Sequence, residues 1–223
     1  MTSPMLVWEN DSNLSVNGVA FYVAYTSEEL HGTDSTVDKF LLGKSRSMIE
    51  RLIDILRGRK IDNVFDMGIF KGGSVVLYDQ VFQPQKIVAI EFMPKPVEAL
   101  TEYIRKYRKV DHIKPHFGVN QADRFAMQKI LLGEFPKQDI DLIVDDASHF
   151  YKETREAFNI AFPYLKPGGH YVIEDWAWAH WPGDHWQKNN PHFGKQPALS
   201  NLLIELNMLA ASRCDLIEDI FVN

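Results

Sequence analysis

The segment Asn63-Val-Phe-Asp-Met-Gly-Ile-Phe-Lys-Gly-Gly-Ser74 joins a short apolar strand to a glycine turn and the beginning of a helix. Further strands and helices then alternate along the chain, with strands at 86–91, 113–117, 140–145 and 170–174 and helices at 73–81, 97–108, 122–132 and 153–165. Alternating elements whose strand centres are apolar throughout predict a parallel sheet that is covered by helices on both faces. The fold class is therefore α/β, with a doubly wound, Rossmann-like sheet.

Both ends of the chain predict further elements around this core. Residues 5–31 have the pattern of strands and turns with a hairpin at Asn17-Gly18, and Asp38 to Arg57 has the spacing of a helix that Gly58 ends. A helix at 199–212 and a strand at 216–222 follow the core. We expect a single domain with four parts, namely an N-terminal hairpin and helix lid (1–58), a core (59–175), a long irregular loop (176–197) and a C-terminal helix and strand (198–223).

Composition narrows the class of protein. The 223 residues are 45% hydrophobic and 24% charged with a net charge of −6, which fits a globular protein and argues against a general nucleic-acid binder. The single cysteine, Cys214, excludes an intrachain disulfide and a cysteine-based zinc site. Because no apolar run approaches the ~18 residues of a membrane span and residues 1–10 lack a signal-peptide pattern, we expect a cytoplasmic protein without a membrane partner.

Every strong strand ends in a carboxylate. These residues are Asp66, Glu91, the pair Asp145-Asp146 and the pair Glu174-Asp175. In a doubly wound sheet the ligand binds beyond the carboxyl ends of the strands, so the sequence predicts the functional site at these positions.

The glycine turn, with Gly68, Gly72 and Ser74, is a candidate cofactor loop. It lacks the Gly-Lys-Ser/Thr ending of a phosphate loop and the Gly-x-Gly-x-x-Gly spacing of a dinucleotide site, and Asp66 would repel a pyrophosphate. S-adenosylmethionine suits the turn better, because its ammonium group can pair with Asp66 and its ribose hydroxyls with Glu91. A purely structural βα turn is the alternative.

The acidic pairs predict a cation site. If the ends of the two strands are neighbours, Asp145, Asp146, Glu174 and Asp175 would crowd one edge, and a divalent cation would relieve their repulsion. All-oxygen ligands favour Mg2+, Mn2+ or Ca2+ over zinc. His149 follows at a helix start, which favours a neutral ring that can act as a base. A solvated loop, or a helix cap at Ser148, is the alternative for either pair alone, and a Ser148–His149 hydrolase lacks its usual elbow motif.

Three segments together resemble the class I S-adenosylmethionine-dependent methyltransferases. They are Phe65–Ser74, Val144–His149 and Phe162–Asp175, and the likeness runs from about residue 40 to residue 182. It is strongest to the metal-dependent branch with the macrocin and mycinamicin sugar O-methyltransferases, the rhamnosyl O-methyltransferases and the cephalosporin hydroxylase-like proteins.

The resemblance implies a role for each matching residue. Asp146, Glu174 and Asp175 are the implied ligands of Mg2+ or Mn2+, and Asp146 and His149 the implied catalytic pair with His149 as the general base. The implied contacts of S-adenosyl-L-methionine are Asp66, Gly68, Gly72, Ser74, Glu91, Gln121, Asp123 and Asp145. Asp145 either holds the methionine end or supports the metal, and Gln121 and Asp123 stand where the family often contacts adenine.

The resemblance also implies the strand order 3-2-1-4-5-(7)-6. Six strands have candidates, with residues 216–222 as the sixth, so the seventh is either missing from this chain or replaced by another segment. The implied reaction is methyl transfer to a hydroxyl of a small-molecule acceptor such as a sugar or polyketide, by a homo-oligomer. Non-methylating, hydroxylase-like chemistry or a non-catalytic cofactor-binding subunit are the alternatives.

The loop after the acidic pairs is the candidate substrate loop. Trp176, Trp178 and Trp181 are expected to stack on a sugar or flat acceptor, and His180 or His185 to assist at the metal edge. Packing of an otherwise unsupported loop, or a subunit contact, is the alternative. Lys44, Ser45 and Arg46 are candidates for contact with the cofactor's carboxylate. For Lys44 and Arg46, however, the sequence favours an exposed position on the surface.

Overall fold

The protein is described here by a computed structural model that covers residues 6–183 and 194–222. Its nine strands in those residues are β1 Leu6–Asn10, β2 Asn13–Val16, β3 Val19–Val23, β4 Lys39–Leu42, β5 Asn63–Met67, β6 Lys86–Glu91, β7 Ile113–Phe117, β8 Ile140–Asp145 and β9 Leu165–Ile173. Its seven α-helices there are α1 Ser27–Gly32, α2 Arg46–Ile55, α3 Gly73–Phe82, α4 Glu98–Lys106, α5 Arg124–Glu134, α6 Tyr151–Ala161 and α7 Ser200–Ser212.

The central sheet has five parallel strands in the order β7-β6-β5-β8-β9. This confirms the predicted 3-2-1-4-5 part of the topology. Alternate residues of each strand face two separate cores, as Val64 and Phe65 of β5 do. Helices α3 and α4 pack on one face, and α5 and α6 on the other. Burial of both faces explains why the centres of β5, β6 and β8 are apolar.

The predicted strand at residues 216–222 is wrong. A turn follows α7, and the rest of the segment is irregular. Leu216, Phe221 and Val222 are 46%, 65% and 50% exposed, so their side chains have no neighbouring strand to pack against. Strand propensity depends on cross-strand packing, and an apolar run that lacks it does not form a strand. Among the described strands, β8 is the one neighbour of β9.

The N-terminal segment forms a second sheet, in the order β1-β2-β3-β4. The predicted hairpin is confirmed, since β2 and β3 are antiparallel and the turn residues Asn17 and Gly18 have φ of 49° and 88°. The strand-and-turn prediction for residues 5–31 missed the short helix α1, whose N-cap Thr26 forms a capping box with Glu29.

The helix predicted from Asp38 is wrong over its first residues. Residues 39–42 form β4, which pairs in parallel with β3, and Phe40, Leu41 and Leu42 are all buried. The helix begins only at Arg46, because the Ser45 side chain accepts a hydrogen bond from the Met48 amide and caps it. Three consecutive buried residues fit a strand that is covered on both faces, although the apolar spacing of a run this short does not by itself distinguish a strand from a helix.

The N-terminal sheet is part of the main core. Phe21, Phe40 and Leu42 belong to the same buried cluster as Val76 of α3 and Leu100 of α4. At Gly73, the first residue of α3, a β-carbon would lie 1.9 Å from the Leu41 carbonyl oxygen. The turn between β4 and α2 is therefore held directly beside the glycine turn of the central sheet.

Candidate active site

The glycine turn brings the ends of β5 and β8 into contact. Gly68 has φ of +105°, and a β-carbon there would lie 2.2 Å from the Asp146 carbonyl oxygen. The Asp146 amide in turn donates to the Met67 carbonyl at 2.9 Å. Gly72 has φ of +85° and precedes α3. Glycine meets both needs at position 68, the left-handed backbone and the close approach.

Asp66 lies at the centre of this edge with no exposed surface. The Ser74 hydroxyl donates to its Oδ2 at 2.8 Å, while Oδ1 is buried without a hydrogen-bond partner among the described residues. Burial raises the pKa of Asp66 to about 7, although Lys44 and the Ser74 hydroxyl act in the opposite direction. An unpartnered buried carboxylate oxygen is costly, so the position suits a cationic ligand group.

Glu91 is fixed beside the same turn. The amides of Phe70 and Met93 donate to its two carboxylate oxygens at 2.8 and 2.9 Å. The backbone therefore orients the carboxylate, whose remaining lone pairs can accept further hydrogen bonds.

Gln121 and Asp145 form a buried pair next to this turn. The Gln121 amide donates to both carboxylate oxygens of Asp145 at 3.2 Å, and its carbonyl accepts from the Ser148 amide at 2.9 Å. Burial raises the pKa of Asp145 to about 7. Asp123 has a different position in the network, because it caps α5 by accepting from the amides of Phe125 and Ala126.

Asp146, His149 and Asp175 come together at the ends of β8 and β9. One side-chain ligand atom from each lies within 4.8 Å of the others, and His149 Nε2 is 3.9 Å from Asp146 Oδ1. His149 and Asp175 have φ of 58° and 51°. Left-handed backbone at non-glycine residues is strained and often marks functional sites. Ser148 Oγ accepts from the Phe150 amide at 3.2 Å. It is not the helix cap considered for it, because α6 begins at Tyr151 with Phe150 as its N-cap and without a side-chain cap.

Lys44 is a residue of this site. It is 4% exposed, and the surface position predicted for it is wrong. Its ammonium donates to Asp146 Oδ2 at 2.7 Å and to Glu174 Oε2 at 2.5 Å. The adjoining run Phe40-Leu41-Leu42 was the available signal, since a lysine two residues after a buried strand is held near the core.

Burial and charge oppose each other in this group. Burial raises the pKa of Glu174 to about 8, against the effect of Lys44, and also raises the pKa of Asp175. For Lys44, burial acts to lower the pKa, but the carboxylates of Asp146 and Glu174 overcome this and raise it well above its usual range. The site therefore brings several carboxyl groups together around one buried ammonium group.

The tryptophan-rich segment directly follows Asp175 in the sequence. Trp178 is buried, and its indole Nε1 donates to the His149 carbonyl at 2.8 Å. His180 Nε2 is 2.8 Å from Ser200 Oγ, Trp176 is half-buried, and Trp181 is 37% exposed. Trp178 thus supports the backbone of His149, whereas Trp181 is accessible. His185 lies outside the described residues.

Comparisons with known proteins give matches over the same part of the chain. The methyltransferase-domain family matches residues 65–176, from β5 to just past Asp175. Mycinamicin VI 2''-O-methyltransferase of Micromonospora griseorubida is 49% identical over 112 residues, 50% of this chain and 25% of that protein. L-olivosyl-oleandolide 3-O-methyltransferase of Streptomyces antibioticus is 49% identical over 76 residues, 34% of this chain and 19% of that protein.

Solved structures share the fold. The MycE methyltransferase of the mycinamycin biosynthetic pathway, in complex with Mg, SAH and mycinamycin VI, superposes with a TM-score of 0.51 at 23% identity, over 76% of this chain and 43% of that one. The SAH-bound Podospora anserina methyltransferase PaMTH1 gives 0.55 at 20% identity, over 74% and 70%. The alignments span a quarter or less of the curated relatives' length. Among the described residues, no helix combines the length and apolar character that a bilayer span needs.

Proposed function

Because this chain belongs to the methyltransferase-domain family, we propose that it is an S-adenosylmethionine-dependent O-methyltransferase acting on a hydroxyl of a sugar or another small natural product. The observation that carries the proposal is the meeting of two features at one edge of the sheet. Asp66 offers a buried carboxylate oxygen without a partner, and Asp146, His149 and Asp175 form an acidic cluster beside it.

The residues of the glycine turn fit the cofactor. An ammonium group is the natural partner of the free Asp66 oxygen, because it would supply both a hydrogen bond and a positive charge. Glu91 has lone pairs available for the ribose hydroxyls, and Gly68 and Gly72 place no side chain at their own positions of the turn. Gln121 holds Asp145 in place on the neighbouring strand. When bound, S-adenosylmethionine would supply the methyl group on a sulfonium centre that is ready for displacement.

The acidic cluster fits a divalent cation. Asp146 and Asp175 of the cluster, together with Glu174, which shares Lys44 with Asp146, supply hard oxygen ligands of the kind that Mg2+ and Mn2+ prefer. That Asp146 and Glu174 already bind an ammonium group supports a site selective for positive charge. When bound, the cation would lower the pKa of the acceptor hydroxyl.

His149 is the proposed general base. It would take the proton of the acceptor hydroxyl, and the nearby carboxylates of Asp146 and Asp175 would stabilise the imidazolium that results. The left-handed backbone of His149 and the hydrogen bond from Trp178 to its carbonyl would restrict the position of the imidazole ring. Most of the acceleration would come from holding acceptor and methyl donor in line.

Sugar hydroxyls are the proposed acceptors. The relatives' names include a mycinamicin 2''-O-methyltransferase and an olivosyl-oleandolide 3-O-methyltransferase. We propose that Trp176, Trp181 and His180 line the acceptor side of the site, with Trp178 as their support. Aromatic rings are suited to stacking on sugar rings and on flat polyketides.

The decisive experiment supplies methyl-labelled S-adenosylmethionine, Mg2+ and a panel of glycosylated natural products, and measures transfer by mass spectrometry. The proposal expects an acceptor to gain the mass of one methyl group with the wild-type protein and not with Asp66→Asn. A gain of one oxygen would instead support a hydroxylase-like enzyme. Cofactor binding without turnover of any panel member, although His149 and Asp146 are intact, would support a non-catalytic subunit.

A homo-oligomeric state and a cytoplasmic location stay predictions of the same proposal. Light scattering of the purified protein coupled to size-exclusion chromatography tests the first, and fractionation of the native host tests the second.

A further inference from the structure

Lys44 reaches the acidic cluster from outside the part of the chain that the family matches. It lies on the turn between β4 and α2, whereas the family match begins at residue 65. Its two carboxylate partners, Asp146 and Glu174, are 102 and 130 residues away in sequence. The N-terminal sheet packs closely against α3, where Leu41 lies beside Gly73. This packing sets the position of the Lys44 ammonium group.

A second observation is that unpaired buried polar atoms lie beside Lys44. Tyr78 of α3 is fully buried, and its hydroxyl has no hydrogen-bond partner among the described residues. Lys44, Glu174, Asp66 and Asp146 are its electrostatic neighbours. Together with Oδ1 of Asp66, two buried polar atoms thus border the cluster with unused hydrogen-bonding capacity.

Without Lys44, the carboxylates of Asp146 and Glu174 would face each other with no compensating charge. Buried like charges are strongly unfavourable unless a cation or a proton neutralises them. The ammonium group at 2.7 and 2.5 Å is that cation in the described arrangement. A divalent ion bound by the same oxygens would be repelled by it at close range.

We propose that Lys44 is the resident counter-ion of the acidic site, that it competes with the divalent cation for Asp146 and Glu174, and that the cation displaces it. The inference rests on the cation site of the proposed function. It makes Lys44 a positioning residue for the two carboxylates and a determinant of metal affinity. Metal affinity in this chain is then set in part by a residue of the N-terminal sheet.

The first test measures Mn2+ binding by the loss of the free-ion signal in electron paramagnetic resonance, for the wild type and for Lys44→Met. We expect the variant to bind Mn2+ at least about tenfold more tightly, a change of the size that metal-site neighbours commonly cause. Lys109→Met is the matched control, because Lys109 also pairs with a buried carboxylate, Asp79 at 2.8 Å, outside this site. An affinity of Lys44→Met that is unchanged or weaker overturns the proposal.

The second test needs no variant, so it stands even if Lys44→Met does not fold. Purified wild-type protein is treated with acetic anhydride with and without saturating Mn2+, and acetylation of Lys44 and Lys109 is followed by peptide mass spectrometry. Displacement predicts that Mn2+ increases the acetylation of Lys44 several-fold relative to Lys109. Equal protection of Lys44 in both samples overturns the proposal.

The two proposals fail in different ways. If methyl transfer proceeds fully in EDTA and no Mn2+ binds to either protein, the cation site itself is wrong, and with it this inference. If Mn2+ binds to both proteins with equal affinity and supports methyl transfer, only the role of Lys44 is wrong. Calorimetric titration with S-adenosylmethionine on the same samples reports the cofactor site independently of either result.

Discussion

The carbonyl oxygen of Asp146 lies 2.2 Å from the position that a β-carbon would occupy at Gly68. The turn that follows β5 and the acidic segment that follows β8 are therefore in backbone contact. The proposed cofactor turn and the proposed cation site are therefore adjacent, and their backbones lie too close for a side chain to fit between them.

Gly68→Ala is expected to destabilise the protein by about 3 kcal/mol or more, since it adds backbone strain to a severe overlap. Chemical denaturation measures the loss. Gly58→Ala is the matched control, because Gly58 also has positive φ (+76°) but nothing lies within 4 Å of its β-carbon position. The control should lose only about 1 kcal/mol, the cost of the left-handed backbone alone. Equal losses in the two variants would contradict the steric argument.

His149→Ala is expected to lower kcat by about 10²–10⁴-fold, the usual contribution of a general base. The Kd of S-adenosylmethionine should hardly change, because His149 is assigned to the acceptor side. Steady-state kinetics and calorimetry separate the two effects. His31→Ala, in the exposed α1, serves as the control. Near-full activity of His149→Ala would remove His149 from the mechanism.

Trp178→Phe tests the support of His149 while an aromatic ring is kept. It removes the hydrogen bond from the indole Nε1 to the His149 carbonyl, which should cost about 1 kcal/mol of stability. We expect kcat to fall as well, because the His149 ring loses its fixed position. Trp181→Phe, at a 37% exposed residue, should leave stability unchanged and affect mainly the KM of the acceptor. The reverse pattern would mean that Trp178, and not Trp181, contacts the acceptor.

The pH dependence of stability follows from Asp66. Its pKa is raised by burial to about 7 in the folded protein, against about 3.9 in an unfolded chain. The folded state therefore holds the proton more tightly, and this contribution to stability is present below about pH 4 and is lost as the pH rises to about 7. Asp66→Asn cannot ionise, so its stability relative to the wild type should be higher at pH 8 than at pH 5. Denaturation curves at the two pH values decide this, and an unchanged difference would refute the shift.

The same shift predicts the opposite trend for cofactor binding. A cationic ammonium group binds ionised Asp66, so the affinity for S-adenosylmethionine should weaken as the pH falls through about 7. Calorimetric titration between pH 8 and pH 6 measures this. Asp66→Asn should bind weakly at both pH values and lose the dependence. If the variant retained the wild-type dependence, another group would be responsible.

Removal of divalent metal is expected to abolish methyl transfer. Activity should disappear in EDTA and return with added Mg2+ or Mn2+, because the proposed acceptor hydroxyl needs its pKa lowered. Cofactor binding measured in EDTA is the control for an intact fold. Undiminished turnover in EDTA would contradict the metal assignment.

The core of the fold was predictable because its strands are buried on both faces. Val64 and Phe65 face opposite sides of the sheet, and both sides are apolar. The resulting run of consecutive apolar residues can be recognised in the sequence without knowing which strands pair with it. The same holds for the carboxylates at the strand ends, since a parallel sheet brings all carboxyl ends to one edge.

What the sequence did not reveal depends on distant partners. Four residues, Lys39–Leu42, form a strand only because β3 lies beside them, and their apolar spacing alone also fits a helix. Lys44 can be buried because the carboxylates of Asp146 and Glu174 compensate its positive charge. Residues 216–222 have the composition of a strand but no neighbouring strand in the described structure.

The contact between Leu41 and Gly73 has a consequence for protein engineering. A chimaera with a junction at residue 65 would place a foreign N-terminal segment against α3. The first residue of that helix, Gly73, tolerates no side chain, because a β-carbon there would lie 1.9 Å from the Leu41 carbonyl oxygen. It would also separate Lys44 from the carboxylates that it neutralises. The unit of exchange between relatives is therefore wider than residues 65–176, and recombination should move β4 and Lys44 together with the segments that carry Asp146 and Glu174.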